Sequence, residues 1–575
     1  MFCFRQIILS FFCLQLVFAH SATVDVIDER IIALKRSIAK SENEIKEIQK
    51  EKKRFGYKHQ RIIQEDKQSH PLVNTNSYWL AKDYTRYPPN PYPNYFKYTT
   101  DDLANEIEFH LWFQGDMDSL MNINGLIVND GRIFVPVGSS NSIQRYWIRR
   151  LRPSVQGYVD DYINYFLNVD MGMSNFGIFD AFIDINYFRL LGFQFGQQMS
   201  LVSGIENFFD NFSYLSRAYT MEMSHTQMLA PDREFGFVFH GSFGPSGQEP
   251  YYTGLSLLGF DDFFSYQLGI LTGAPDDLSP ENSFNSRTLN FFQNVNFLAY
   301  DVEGRIFTNP FIEYSKHPLQ HLGLGLALSS GRAQMQDELP SLVSIAQNPI
   351  YFYEYNTLYN NEYAAIQVVA NGARTRIHPQ AVWSYGPLGL IGDLTQSKQK
   401  LGLKYGDTLL RETVEQTNRA NQLSVIYNLT QEEFNLFHFI PNQNFHIFEK
   451  GAWGGLQAVF RISGLSLDPS VFNNSYQKIV DGKEYTYYYF VDPRISVQKA
   501  TSWSIGLNWY WNQYLRFTFE YDQTKYVGGC STGAMNATTG TPGCLMGSND
   551  TYLSSSQVIN RPDEKVYMQR VQISF

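Results

Sequence analysis

From about residue 105 onward, apolar residues recur at every second position, the period of a strand with one apolar face. Ile107, Phe109, Leu111 and Phe113 alternate with Glu108, His110, Trp112 and Gln114. Ile163, Tyr165, Leu167, Val169 and Met171 alternate with Asn164, Phe166, Asn168 and Asp170. Phe179, Ala181, Ile183, Ile185 and Tyr187 alternate with Asp180, Phe182, Asp184 and Asn186, and Leu322 to Leu328 alternate with Gly323, Gly325, Ala327 and Ser329. Near the end, Trp503, Ile505, Leu507 and Trp509 form one row, and Trp511 to Tyr514 reads as a short turn. Leu515, Phe517, Phe519 and Tyr521 form the next row, opposite Arg516, Thr518, Glu520 and Asp522. A soluble sandwich would carry more charge on its second face. Here that face is mostly Gly, Ser, Asn or a lone charge, which suits a crowded wet lumen. The pattern predicts an all-β transmembrane, antiparallel up-and-down barrel over residues 105–575.

The chain before residue 105 follows other rules. Arg5, the apolar stretch Ile7 to Phe18 and the site Val17-Phe18-Ala19 read as a signal peptide over 1–19. Residues 24–58 carry a heptad, with Ile31, Ile38 and Ile45 at a and Ile27, Leu34 and Ile48 at d. Isoleucine at both positions favours trimers or higher states, so a coiled coil in the periplasm is expected. Residues 59–104, with Tyr87-Pro88-Pro89-Asn90-Pro91-Tyr92-Pro93, read as a Pro/Tyr-rich linker.

Composition narrows the class. Of 575 residues, 16% are aromatic and 18% charged, below the usual quarter for charged residues. After the N-terminus no apolar run reaches the roughly 18 residues of a membrane helix. The net charge of −10 argues against nucleic-acid binding. Residues 24–67 hold twelve Lys or Arg against nine Asp or Glu, so the remainder is the more acidic part. The length left for the barrel, at roughly 26–30 residues per strand with its loop, gives 16 strands, with 18 the second choice. Once the signal has gone, Cys530 and Cys544 are left as a pair in a Gly/Thr/Ser-rich stretch, and a disulfide is expected. With Phe575 at the periplasmic end, that stretch is extracellular.

Four stretches resemble the phosphate-selective porin O/P family of Gram-negative bacteria. They are Asp180 through Gly196-Gln197, Gly451-Ala452-Trp453 through Leu465, Ser504 through Tyr510 with Leu515-Arg516-Phe517, and the closing Arg570 to Phe575. The resemblance implies a homotrimer of 16-stranded barrels in the outer membrane that passes small anions, and a closing Phe575 that addresses the barrel assembly machinery. Where the family commonly continues Gly-Gln with Lys and Pro, this chain has Gln198-Met199-Ser200-Leu201.

Strand parity places Arg150, Arg152, Arg461, Arg516, Arg570, Asp180, Asp184 and Glu520 inward as pore-lining candidates. Residues 199–222 read as an irregular segment that could fold inward, which makes Glu206, Asp210 and Arg217 constriction candidates. There is no HExxH, P-loop, CxxC or nucleophile elbow. No enzyme, cofactor or metal site is therefore expected, and the partners are lipid and small solutes. The leading expectation is a passive diffusion porin for small hydrophilic solutes. Alternatives are a plugless receptor for a ligand such as a ferric siderophore, and a structural anchor acting through the coil.

Overall fold

The computed structural model describes residues 97–99, 105–121, 142–159, 163–172, 177–188, 190–203, 224–243, 263–274, 276, 300–312, 314, 317–333, 339–353, 366–405, 408–435, 439–480, 483–531 and 558–574. The signal peptide, the coiled coil, most of the linker, Cys544 and Phe575 lie outside the described residues. So do Glu206, Asp210 and Arg217.

Sixteen antiparallel strands form the barrel. They are β1 (Asn105–Met121), β2 (Ser142–Val159), β3 (Ile163–Asp170), β4 (Gly177–Phe188), β5 (Leu191–Met199), β6 (Arg233–Phe243), β7 (Phe264–Leu271) and β8 (Asp301–Thr308). Then come β9 (His321–Ala333), β10 (Ile366–Tyr385), β11 (Leu388–Tyr405), β12 (Thr408–Asn428), β13 (Gly455–Ser466), β14 (Val497–Tyr510), β15 (Leu515–Ser531) and β16 (Glu564–Ser574). Each pairs with the next, and β1 pairs with β16 from Trp112↔Ser574 to Met121↔Lys565, so the sheet closes. Closure leaves no unpaired edge in lipid, the condition for a sheet to span a membrane. Lys97–Thr99, at the end of the linker, pairs with Glu106 to Glu108 just below that seam.

Both ends of the barrel chain lie on one side. On that side β14 and β15 are joined by Trp511–Tyr514 and β10 and β11 by 386–387. Most connections on the opposite side are long, including 122–141, 200–232, 334–365, 467–496 and 532–563. This asymmetry is that of outer-membrane barrels.

The outward rows are apolar and exposed, as lipid requires: Ile183, Phe237, Leu268, Ile306, Leu324, Ile505 and Ile573 are examples. Aromatic side chains gather where strands meet the turns. Trp383 stacks on Tyr385, and Trp509 packs against Trp511 and Phe517. The inward rows are buried. Phe307 lies over the small-residue face of β9, where a Cβ on Gly323 would come within 2.5 Å of its ring.

Parity fails at two bulges. The β1–β2 register shifts between Gln114 and Gly115, so Arg149 and Arg150 are both buried. The β3–β4 register shifts at Asn168/Val169, and Phe179 turns inward rather than joining the outward row predicted for it. A bulge inserts one unpaired residue and so reverses the alternation beyond it.

Candidate functional site

The barrel interior is where the chemistry collects. All eight parity-derived candidates, Arg150, Arg152, Arg461, Arg516, Arg570, Asp180, Asp184 and Glu520, sit on inner faces and are buried. Among the described residues, the long basic side chains buried there are arginines, not lysines. A guanidinium is weakly hydrated and presents a rigid fork of five donors, so it tolerates such a site better than an ammonium.

One arc of charge runs along β15, β16, β1, β2, β3, β4 and β6. Arg570 grips Asp116 with both arms of its fork, at 2.7 and 2.6 Å. Arg516 donates to Gln572 at 2.6 Å, Gln572 accepts from Gln114 at 2.9 Å, and Gln114 accepts from Arg150 at 2.9 Å. This chain of amides joins two of the candidate arginines across the seam. Trp112 lies between Arg150 and Arg152, whose guanidinium carbons are 5.2 and 5.1 Å from its ring centre. Arg152 also donates to Asp170 at 2.7 Å and covers Phe179 at 3.9 Å. Arg233 covers the same ring at 5.2 Å and donates to Asp180 at 2.7 Å. The product is a ladder of arginines and aromatic rings on one wall. Each cation–π contact of this desolvated kind is worth about 2 kcal/mol. Asp184 meets His240 at 2.8 Å, and Arg461 lies on β13.

A second cluster on β8, β10 and β11 was not singled out from the sequence. Arg374 donates to both oxygens of Asp301 at 3.0 and 3.1 Å. Arg376 bridges Asp276 at 2.8 Å and Asp301 at 3.2 Å. His378 contacts Asp393 at 3.2 Å, and Arg305 donates to Gln380 at 2.9 Å. The signal was available: Asp301-Val302-Glu303-Gly304-Arg305 and Arg374-Thr375-Arg376-Ile377-His378 both alternate charge with apolar or small residues.

Two connections fold into the lumen. The first joins β5 to β6. Glu303 accepts from Ser200 Oγ at 2.9 Å and from the Leu201 N–H at 2.8 Å, while His378 Nδ1 lies 2.8 Å from the Val202 carbonyl. On the far wall, His225 Nδ1 lies 2.6 Å from Ser463 Oγ on β13. His225 is fully buried beside Arg461. Burial first, and then that positive neighbour, push its pKa down from 6.5 to about 3. The second connection joins β9 to β10 and carries the small hairpin Leu342–Val343 and Pro349–Tyr351. It crosses to β16 and β2: Asn348 donates to Glu564 at 2.6 Å, and Arg145 donates to the Ala346 carbonyl at 2.9 Å and to Asp118 at 3.0 Å. The two straps start four strands, a quarter of the barrel, from each other.

Between the second strap, the loop 467–496 and the strand ends lies an apolar cluster that includes Leu342, Tyr351, Leu401, Phe472, Phe490 and Tyr526. Sequence reading did not find it, because its members come from many segments with no shared period. Cys530, at the end of β15, is disulfide-bonded.

The sequence matches no family model and no curated protein. Among solved structures, the chain is similar to the high-pH structure of OprB of Pseudomonas putida, with 10% identity and a TM-score of 0.41, over 82% of this chain and 94% of that one. It is similar to the outer-membrane channel DcaP of Acinetobacter baumannii, with 10% identity and a TM-score of 0.40, over 83% and 99%. It is also similar to the trimer form of OmpT of Vibrio cholerae, an outer-membrane protein, with 9% identity and a TM-score of 0.40, over 82% and 100%.

Proposed function

We propose that this protein is an outer-membrane porin, working as a homotrimer, through which small hydrophilic solutes diffuse passively with a preference for anions such as phosphate. The observation that carries this reading is the closed sixteen-stranded barrel whose inner wall bears the ladder Arg150–Trp112–Arg152–Phe179–Arg233. Guanidinium forks match carboxylate and phosphate oxygens in two-point geometry. Rings of such charge set the sign of the ion that passes. The β5–β6 strap narrows the lumen in this reading, and the termini side faces the periplasm. Glu206, Asp210 and Arg217, between its described ends, remain proposed constriction residues. The coil at 24–58 is proposed to hold the trimer together from the periplasm.

Reversal potential in a planar bilayer under a KCl gradient tests the reading. We expect anion selectivity, conductance in steps of three, and block by added phosphate. Arg150→Glu with Arg152→Glu moves the reversal potential toward cation preference. An unchanged potential removes both residues from the conducting path.

The apolar cluster beneath the loop mouth favours a second reading, a receptor that opens for one bulky ligand such as a ferric siderophore. A channel silent toward small ions, together with tight binding of a ferric siderophore at the loops, selects it.

A further inference from the structure

We propose that the turn at residues 446–452, on the termini side of the barrel, is a membrane anchor that inserts its apolar tip into the adjoining lipid leaflet. The connection between β12 and β13 is long for that side. Its first part tucks Phe439 against Tyr510 in the interior, with ring centres 4.1 Å apart. It then passes to the outside, where Phe445 stacks on Trp511 at 4.5 Å and meets the outward-facing Trp509 edge-on at 5.2 Å. Beyond Phe445 the tip presents Ile447, 75% exposed, and Phe448, 88% exposed, with Trp453 66% exposed at its base. Phe445, in contact with Trp509, extends the lipid-facing row Ile505, Leu507 and Trp509, and the exposed Ile447 and Phe448 follow it directly in the chain.

The turn is built to hold that position. The Phe445 N–H donates to the Trp511 carbonyl at 2.6 Å, and the His446 N–H to the Ala452 carbonyl at 2.9 Å. The Glu449 N–H closes on His446 at 3.2 Å, and Trp509 Nε1 donates to the Trp453 carbonyl at 2.7 Å. Gly451, at φ +91° and with open space where a Cβ would be, makes the reversal. These bonds, with the Ala452 N–H returning to the Glu449 carbonyl, satisfy part of the turn's backbone internally, and at the level of the headgroups water and lipid polar groups serve the rest. Indole rings suit the headgroup level. Lys450, beside the tip, places an ammonium among lipid phosphates while its stem follows the apolar surface. The occupant is therefore lipid, at the depth of about 5–10 Å typical of interfacial segments.

The test labels Phe448→Cys with an environment-sensitive fluorophore in the full chain, reconstituted in phosphatidylcholine vesicles. Glu449→Cys is the reference, and heat-modifiable migration on gels verifies folding. We expect blue-shifted emission at 448, strong quenching by a nitroxide placed shallowly on a lipid chain, and little quenching by aqueous iodide. Quenching by iodide and not by the lipid nitroxide overturns the proposal. Cross-linking of a photoreactive group at 448 to a second copy of the chain, without lipid quenching, overturns it in favour of a contact between copies. Neither result bears on ion selectivity, so the porin reading and this one fail separately.

Discussion

Asp180 illustrates how a single residue carries two duties. It faces the lumen, yet both its oxygens are held by Arg233, at 2.7 and 3.3 Å, with neither partner exposed. Removing Asp180 leaves Arg233 only its second carboxylate, Asp232 at 2.5 Å, so the loss stays below the roughly 3–5 kcal/mol of a buried charge left wholly unmatched. Asp180→Asn is therefore expected to lower the temperature at which the folded band converts on gels, more than Asp184→Asn does. His225 supplies the pH dependence. In place it is neutral, with a pKa near 3, whereas a released His225 returns toward 6.5. The released state binds the extra proton, so the infolded strap is fully stable above about pH 6.5 and loses stability as pH falls toward 3. Channel current recorded from pH 7 down to pH 4 should become noisier with acid, and His225→Ala should flatten that dependence. Parity identified Asp180 and Arg152 because a strand alternates strictly. It misassigned Phe179, because a bulge is set by pairing with β3, which no local period records.

Elements divide into walls and straps. The walls were legible wherever lipid demanded an apolar row, and β14, the turn Trp511–Tyr514 and β15 fall where the pattern put them. Their close fit is testable: Gly323→Val drives a branched side chain into Phe307 and should cost about 1–3 kcal/mol by overpacking, read as a lower conversion temperature. The straps were not legible to the same degree. Residues 199–222 read as an irregular segment that could fold inward, but the β9–β10 strap was not singled out, since its hairpin is too short to show a period. It is pinned to β2 by Arg145, which serves Asp118 and the Ala346 carbonyl together. If solutes pass beside this strap, Arg145→Ala raises the single-channel current. An unchanged current places the path elsewhere in the lumen.

At the scale of the molecule, the barrel is stabilised on the outside by lipid and on the inside by a dense polar network. Arginine–carboxylate pairs offset part of the cost of burying those charges along the inner wall. The disulfide at Cys530 adds a constraint at the loop mouth. If Cys544 is its partner, closing a loop of about 15 residues is worth about 3 kcal/mol. The double variant Cys530→Ser, Cys544→Ser should then lower the conversion temperature and leave the reversal potential unchanged.

The sequence by itself determined the class of fold, the alternation of side chains along the regular stretches of strand and the approximate number of strands. Each of these follows from one-dimensional constraints: a period of two, the absence of a long apolar helix, and length divided among strands. Only the tertiary structure decided which inward charges meet. Arg570 finds Asp116, Arg374 finds Asp301 and Arg145 reaches Ala346, across long separations in the chain. Those distances are fixed by closure of the sheet, by its bulges and by straps that cross the lumen, and none of these leaves a periodic trace in the residues that form it.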